Sequence, residues 1–276
     1  MKESFFEERG LYYRTNDLRE GRPTLVFIHG LSGSSSVWPP YERYFEDSFN
    51  VVSMDLRGHG RSRKLFFYSA YSPELIAEDI LALLSHLAIR RCIVIGHSFG
   101  TLLALSAIKQ APEQFSAVVF LSPTYGASDA WWLPFARVFT SVFAFLSVLL
   151  PFDPKPRGHV DYSTYAPTGD WSLRRIIPDI RNTSLRVYLF CTQHIYKLDT
   201  EEWWRGLDIP VLIVHGKKDT VIPVTSAEKL HTLLPSSKLV LLENANHILP
   251  VNNISEVTAV LSSFLADNDP GKSLKP

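Results

Sequence analysis

Cysteine is scarce in this chain and net charge is absent. The 276 residues include 2 Cys, Cys92 and Cys191, far apart in the sequence. They make no disulfide framework, and no His, Cys, Asp or Glu spacing reads as a metal site. With 28 basic and 28 acidic residues the formal net charge is +0. No tail or face is strongly basic, so nucleic acid is not an expected partner. The start of the chain, Met1-Lys2-Glu3-Ser4-Phe5-Phe6-Glu7-Glu8, is too acidic and too short in apolar residues for a secretory signal. The expectation is a cytoplasmic protein. Long hydrophobic runs are also rare. The one exception is 130–152, almost wholly apolar with the single charge Arg137. Its length suffices to cross a bilayer. Pro134, Arg137, Pro151 and the soluble pattern that follows argue against a clean span.

The remainder describes a well-stocked core. Hydrophobic residues are 46% and charged residues 20%, which excludes disorder. Short apolar runs at 24–28, 50–54, 91–95, 115–121, 210–214 and 238–242 read as strands buried on both faces. Residues 4–16 read as two further strands with a turn at Arg9-Gly10. Between the runs lie helical patterns. One is expected at 37–47, and others at about 225–234 and 253–266. Ser72 is placed to cap a helix that starts on Pro73, with Leu75, Ile76, Ile80, Leu83, Leu84 and Leu87 on one face. Strands alternating with helices imply an α/β fold with a mostly parallel sheet covered on both sides.

Residues 124–206 break that rhythm. They hold five of the 6 tryptophans and are too long for a loop. The simplest reading is a helical cap, inserted after the sixth strand, over the C-terminal edge of the sheet. The core is then 1–123 and 207–268, and 269–276 is a flexible tail.

The most informative stretch is Gly96-His97-Ser98-Phe99-Gly100. It follows a strand and opens a helix, the setting of a nucleophile elbow. The glycines remove Cβ atoms that would clash at a sharp strand-to-helix turn, and the turn lifts the Ser98 hydroxyl out of the sheet. A serine hydroxyl needs a base, and the base needs an orienting acid. In a parallel sheet those groups belong just past the C-terminal ends of later strands. Asp219 follows the strand at 210–214 and His247 follows the strand at 238–242. The chain order is Ser98, Asp219, His247. A tetrahedral intermediate needs two N–H donors. Phe99 and Leu31, which follows His29-Gly30, are the candidates. His29, His97 and His215 are assigned packing and loop hydrogen bonds.

His29-Gly30, Asp55-x-Arg57-Gly58-His59-Gly60-x-Ser62, Gly96-x-Ser98-x-Gly100, Gly216-x-x-Asp219 and Asn246-His247 together resemble the α/β-hydrolase-fold serine hydrolases. The likeness is to the esterase and monoacylglycerol-lipase-like members, and it covers everything except the cap. Haloalkane dehalogenases and epoxide hydrolases carry aspartate at the elbow, so Ser98 argues against both. The resemblance implies that the motif Asp55 to Ser62 shapes a turn. The expected function is hydrolysis of a carboxylic ester through an acyl-enzyme on Ser98. The cap, rich in Trp, Phe, Leu and Val, favours a lipophilic acyl or alcohol group, with Trp131, Trp132 and Phe143 as substrate contacts. No cofactor and no metal is called for, and the partner is a small-molecule ester. Alternatives stay open: a membrane-associated monoacylglycerol lipase whose cap makes peripheral membrane contact, a thioesterase, lactonase, amidase or C–C bond hydrolase, and a non-enzymatic small-molecule receptor.

Overall fold

A computed structural model describes residues 1–124, 133–198 and 200–268. Eight strands form one sheet: β1 (Lys2–Phe6), β2 (Leu11–Thr15), β3 (Thr24–Ile28), β4 (Asn50–Met54), β5 (Cys92–His97), β6 (Phe115–Leu121), β7 (Val211–Gly216) and β8 (Lys238–Leu242). Their order across the sheet is β1-β2-β4-β3-β5-β6-β7-β8. β1 and β2 form an antiparallel hairpin, and β2 pairs antiparallel with β4. Every pair from β4 through β8 is parallel, so the C-terminal ends of β3, β5, β6, β7 and β8 share one edge.

Side chains alternate between two cores, as the period of two requires. Val26, Ile28, Val94 and Val118 face one core, built with α2 (Pro73–His86) and α3 (Phe99–Gln110). Leu25, Phe27, Ile93 and Val119 face the other, against α1 (Pro39–Phe45) and the later helix at 254–267. The Ser72 hydroxyl accepts from the N–H of Leu75 at 3.3 Å, and Pro73 opens α2. Such a cap is worth about 1 kcal/mol. The first helix is shorter than its pattern suggested. A 3-10 turn at Ser35–Val37 precedes it, and α1 begins on Pro39. Pro39 and Pro40 lack the N–H that an interior turn requires, so they fit only the first turn.

After β6 the chain leaves the sheet for the cap. This contains α4 (Leu133–Val148), a single turn at Tyr162–Thr164, α5 (Leu173–Thr183), α6 (Leu185–Lys197) and the short α7 (Glu201–Trp204). The chain then returns through β7, α8 (Val224–Leu233), β8, α9 (Leu249–Asn252) and α10 (Ile254–Asp267). α4 packs on α6 by a narrow stripe, burying Leu133, Thr140, Ala144 and Ser147. Its 16 residues extend about 24 Å at 1.5 Å per residue, short of a ~30 Å hydrocarbon core. Among the described residues, no helix is long and apolar enough to cross a membrane. Several polar contacts seat the cap on the core. Ser36 Oγ donates to Val160 O at 2.8 Å, Thr183 Oγ1 donates to Ser32 O at 3.1 Å, and His159 Nε2 meets Asp55 Oδ2 at 2.7 Å.

Candidate active site

Ser98 sits alone between β5 and α3, at φ +50° and ψ −117°. Backbone in that region costs on the order of 1–3 kcal/mol for a residue with a side chain. The neighbours make the bend unavoidable. A Cβ on Gly96 would lie 2.6 Å from Gly100 O, and one on Gly100 would lie 2.6 Å from Ile28 O. Neither position admits a side chain, so the start of α3 lies at close range to both β5 and β3. The Ser98 N–H donates to Leu121 O at 2.9 Å, which ties the elbow to the end of β6.

The three residues separated in sequence meet here. His247 Nε2 lies 2.9 Å from Ser98 Oγ, and His247 Nδ1 lies 2.8 Å from Asp219 Oδ2. A carboxylate only accepts, so Nδ1 carries the proton and Nε2 accepts from the hydroxyl. Asp219 Oδ1 accepts from the N–H groups of Val221 and Ile222, at 2.9 and 2.8 Å. Burial pushes the Asp219 carboxyl up. The hydrogen bond and charge of His247, the Ile222 N–H and His215 outweigh it and hold the carboxyl below its ordinary value. The acid therefore stays ionised beside the imidazole.

The other histidines brace this relay. His97 Nε2 donates to His247 O at 2.9 Å, and burial pulls its pKa down to about 3. His29 accepts the Leu56 N–H at Nε2, at 3.0 Å, and burial pulls it down to about 4. His215 donates from Nε2 to Ile222 O at 3.0 Å, behind Asp219. All three are neutral supports of loops. Asp55 serves the same end. Its carboxylate accepts from Ser35 N–H and Arg61 N–H, both at 2.7 Å, and Ser62 Oγ donates to its carbonyl.

A cavity of about 920 Å³ opens above Ser98 and His247. Leu31 and Phe99 both line it. Phe99 is the first residue of α3, where helix geometry leaves the N–H without an internal acceptor. The helix dipole at that end favours negative charge. The arrangement thus offers an oriented hydroxyl, a base for its proton and, at Phe99, an N–H donor for an oxyanion.

Of the three cap contacts expected, one can be placed. Trp131 and Trp132 lie outside the described residues. Phe143 does not line the cavity. It is 43% exposed on the outer side of α4, and its ring lies 4.3 Å from that of Phe139. The reason is packing: the stripe α4 buries against α6 passes beside Phe143. The cap instead reaches the cavity through α5 and α6, with Ile176, Tyr188 and Ile195 among the apolar contacts. It also contributes charge. Arg175 Nη1 pairs with Asp179 Oδ2 at 2.8 Å, and Tyr162 OH donates to Asp179 Oδ1 at 2.8 Å. Burial pushes Asp179 up to about 6, against the pull of Tyr162 and Arg175. Sequence analysis missed this pair, and its i, i+4 spacing is the signal that could have found it.

Comparison with known proteins agrees with this fold. Residues 23–253 match the family model described as alpha/beta hydrolase fold. The chain belongs to that family of hydrolases. It is 25% identical over 261 residues to the uncharacterized hydrolase YugF of Bacillus subtilis, covering 90% of each chain. It is 26% identical over 245 residues to human Protein ABHD8, covering 87% of this chain and 54% of that one. The chain thus spans about half the length of ABHD8. Among solved structures, MGS-M2, an alpha/beta hydrolase enzyme from a deep-sea metagenome library, superposes with a TM-score of 0.75 at 20% identity, covering 96% of this chain and 97% of that one.

Proposed function

We propose that the protein is a serine hydrolase of carboxylic esters with a lipophilic acyl or alcohol group. One observation carries the reading: the unbroken relay from Ser98 Oγ through His247 to Asp219, at 2.9 and 2.8 Å, on the floor of the large cavity. Ser98 attacks the acyl carbon as His247 Nε2 takes its proton. The N–H groups of Leu31 and Phe99 hold the oxyanion. The tetrahedral intermediate collapses, and His247 returns the proton to the departing alcohol. Water, deprotonated by His247, then attacks the acyl-enzyme and releases the acid. The apolar walls from α5 and α6 favour a lipophilic group. The test is a panel of p-nitrophenyl esters from acetate upward, with thioester, lactone, amide and C–C controls. Ser98→Ala is expected to lower ester kcat by on the order of 10⁴–10⁶. Two further buried methylenes are expected to raise kcat/KM roughly tenfold. Ester turnover by Ser98→Ala within about tenfold of wild type sinks the reading. A faster lactone or thioester reassigns the substrate. Binding without turnover or covalent labelling points to a receptor.

A second reading adds a membrane to the first, and α4 favours it. Phe135, Phe139 and Phe145 on its outer face are 72%, 60% and 68% exposed, and Leu149 just past its end is 71% exposed. Apolar patches of this kind mark interaction surfaces. The exposed bases Arg137, Lys155 and Arg157 lie on α4 or just beyond it. An apolar face with basic neighbours suits the interface of an anionic bilayer. In this reading α4 lies in the plane of the interface, and the cavity takes its substrate from lipid.

A further inference from the structure

One buried carboxylate of the cap touches both loops that carry the relay. Asp170 lies between the Tyr162–Thr164 turn and α5, is 7% exposed and lines the cavity. Its Oδ1 accepts the backbone N–H of His247 at 2.9 Å. Its Oδ2 accepts the N–H of Thr220 at 2.9 Å and the Thr220 hydroxyl at 2.7 Å. Thr220 directly follows Asp219. The carboxylate therefore spans the loop after β7 and the loop after β8, at the acid's neighbour and at the base itself. Asp170 is in turn held in place. Arg175 Nη2 donates to its carbonyl at 2.9 Å, and Trp171 Nε1 donates to Thr220 Oγ1 at 3.0 Å.

An ionised acceptor makes stronger hydrogen bonds than a neutral one, and here it takes three donors at once. Without it, the N–H groups of His247 and Thr220 would be left unpaired in a buried place. The core braces the same loops: the Lys218 N–H donates to Ala245 O at 2.9 Å, Lys218 Nζ donates to Asn244 Oδ1 at 2.8 Å, and His97 Nε2 donates to His247 O at 2.9 Å. From the cap, Thr168 O accepts from Asn246 Nδ2 at 2.8 Å, and among the described residues Asp170 is the cap group that bonds both to His247 and to the residue after Asp219. A misplacement of about 1 Å costs on the order of 10²-fold in rate.

We propose that Asp170 is a positioning residue, through which the seated cap holds His247 and Asp219 in register with Ser98. The inference rests on the Ser98 relay being the catalytic one. The cap is then a structural part of the relay as well as a wall of the pocket, and a cap that lifts takes the alignment with it.

The experiment measures turnover of p-nitrophenyl acetate per mole of folded protein, taken as the fraction that elutes with wild type on size-exclusion chromatography, so that unfolded protein does not count. Asp170→Ala is expected to lower kcat by about 10²-fold while KM changes less than about threefold. Asp170→Asn keeps one accepting oxygen and should recover part of the loss. Thr220→Val removes one hydroxyl donor and should lose about two- to fivefold. The exposed cap residue substitution Asp153→Ala should leave kcat unchanged. In a His247→Ala background, Asp170→Ala should cost less than about twofold more, because a group acting through the base has nothing left to position. Three results overturn the inference: kcat of Asp170→Ala within about twofold of wild type, a loss confined to KM, or an equal loss in the His247→Ala background. Should Asp170→Ala yield no folded protein, Asp170→Asn and Thr220→Val decide, and wild-type kcat in both overturns it. Ser98→Ala separates the two levels. If it retains turnover, the relay reading fails. If it does not and Asp170→Ala is unimpaired, only the present inference fails.

Discussion

At Ser98 a single backbone conformation presents the hydroxyl to His247 at the expense of stability. The residue holds φ +50° because Gly96 and Gly100 bring strand and helix together around it. Elsewhere, glycine in place of alanine lowers stability by roughly 0.5–1 kcal/mol through unfolded-state entropy. Here the order should reverse. Ser98→Ala and Ser98→Gly both lose the hydroxyl, but only glycine relaxes the positive φ. Urea titration is expected to show Ser98→Gly more stable than Ser98→Ala by about 1 kcal/mol. Equal midpoints, or a more stable alanine variant, would mean that the bend carries no strain. This elbow was legible in the sequence because all its causes are local: a strand, two glycines, a serine and a helix within a few residues. Asp219 and His247 were legible for another reason. Each lies a few residues past a recognisable strand, and the ends of parallel strands lie side by side.

At the scale of elements, α4 is where sequence pattern and structure part. Its 16 residues are apolar nearly all round, so periodicity could not say which side would be buried. Packing on α6 chose Thr140, Ala144 and Ser147, and turned Phe139 and Phe145 outward. Phe143 went with them and lost its place as a substrate contact. The outward face makes a measurable prediction. Polar substitution of exposed residues, Phe145→Ser with Leu149→Ser, should change folding stability by less than about 0.5 kcal/mol per site. If α4 docks on a bilayer, the same pair should abolish co-sedimentation with phosphatidylglycerol-containing liposomes and leave turnover of dissolved acetate ester unchanged. A wild-type protein that stays in the supernatant removes the membrane reading and leaves the proposal of an ester hydrolase untouched.

For the whole molecule, the buried histidines set the response to acid. Burial pulls His29 down to about 4, His59 to about 3 and His97 to about 3. Their unfolded values lie near 6.5. Each therefore contributes stability that is fully present above about pH 6.5 and is lost as pH falls toward its folded value. Asp179 acts in the opposite sense. Its carboxyl is pushed up to about 6, so its stabilising contribution is present below about pH 4 and lost as pH rises through 6. Between pH 4 and 6 these four groups together bind about two more protons in the unfolded chain than in the folded one. Their joint contribution to stability should then fall by roughly 2–3 kcal/mol for each pH unit lost. Denaturant midpoints at pH 7.5, 6 and 5 check this. A protein as stable at pH 5 as at pH 7.5 would show that these histidines are not held neutral by the fold.

Sequence alone determined the alternation of strand and helix, the elbow, and the placing of Asp219 and His247 after later strands. Each of these is written in short-range patterns of apolar spacing and glycine, and parallel pairing carries them to one edge of the sheet. The tertiary structure alone decided what the cap does. Asp170 meets His247 across 77 positions of chain, and the Arg175–Asp179 pair matters only because α5 turns it toward the cavity. No local pattern encodes such meetings. They depend on which face of each cap helix finds a partner, and a segment as uniformly apolar as α4 leaves that choice to packing.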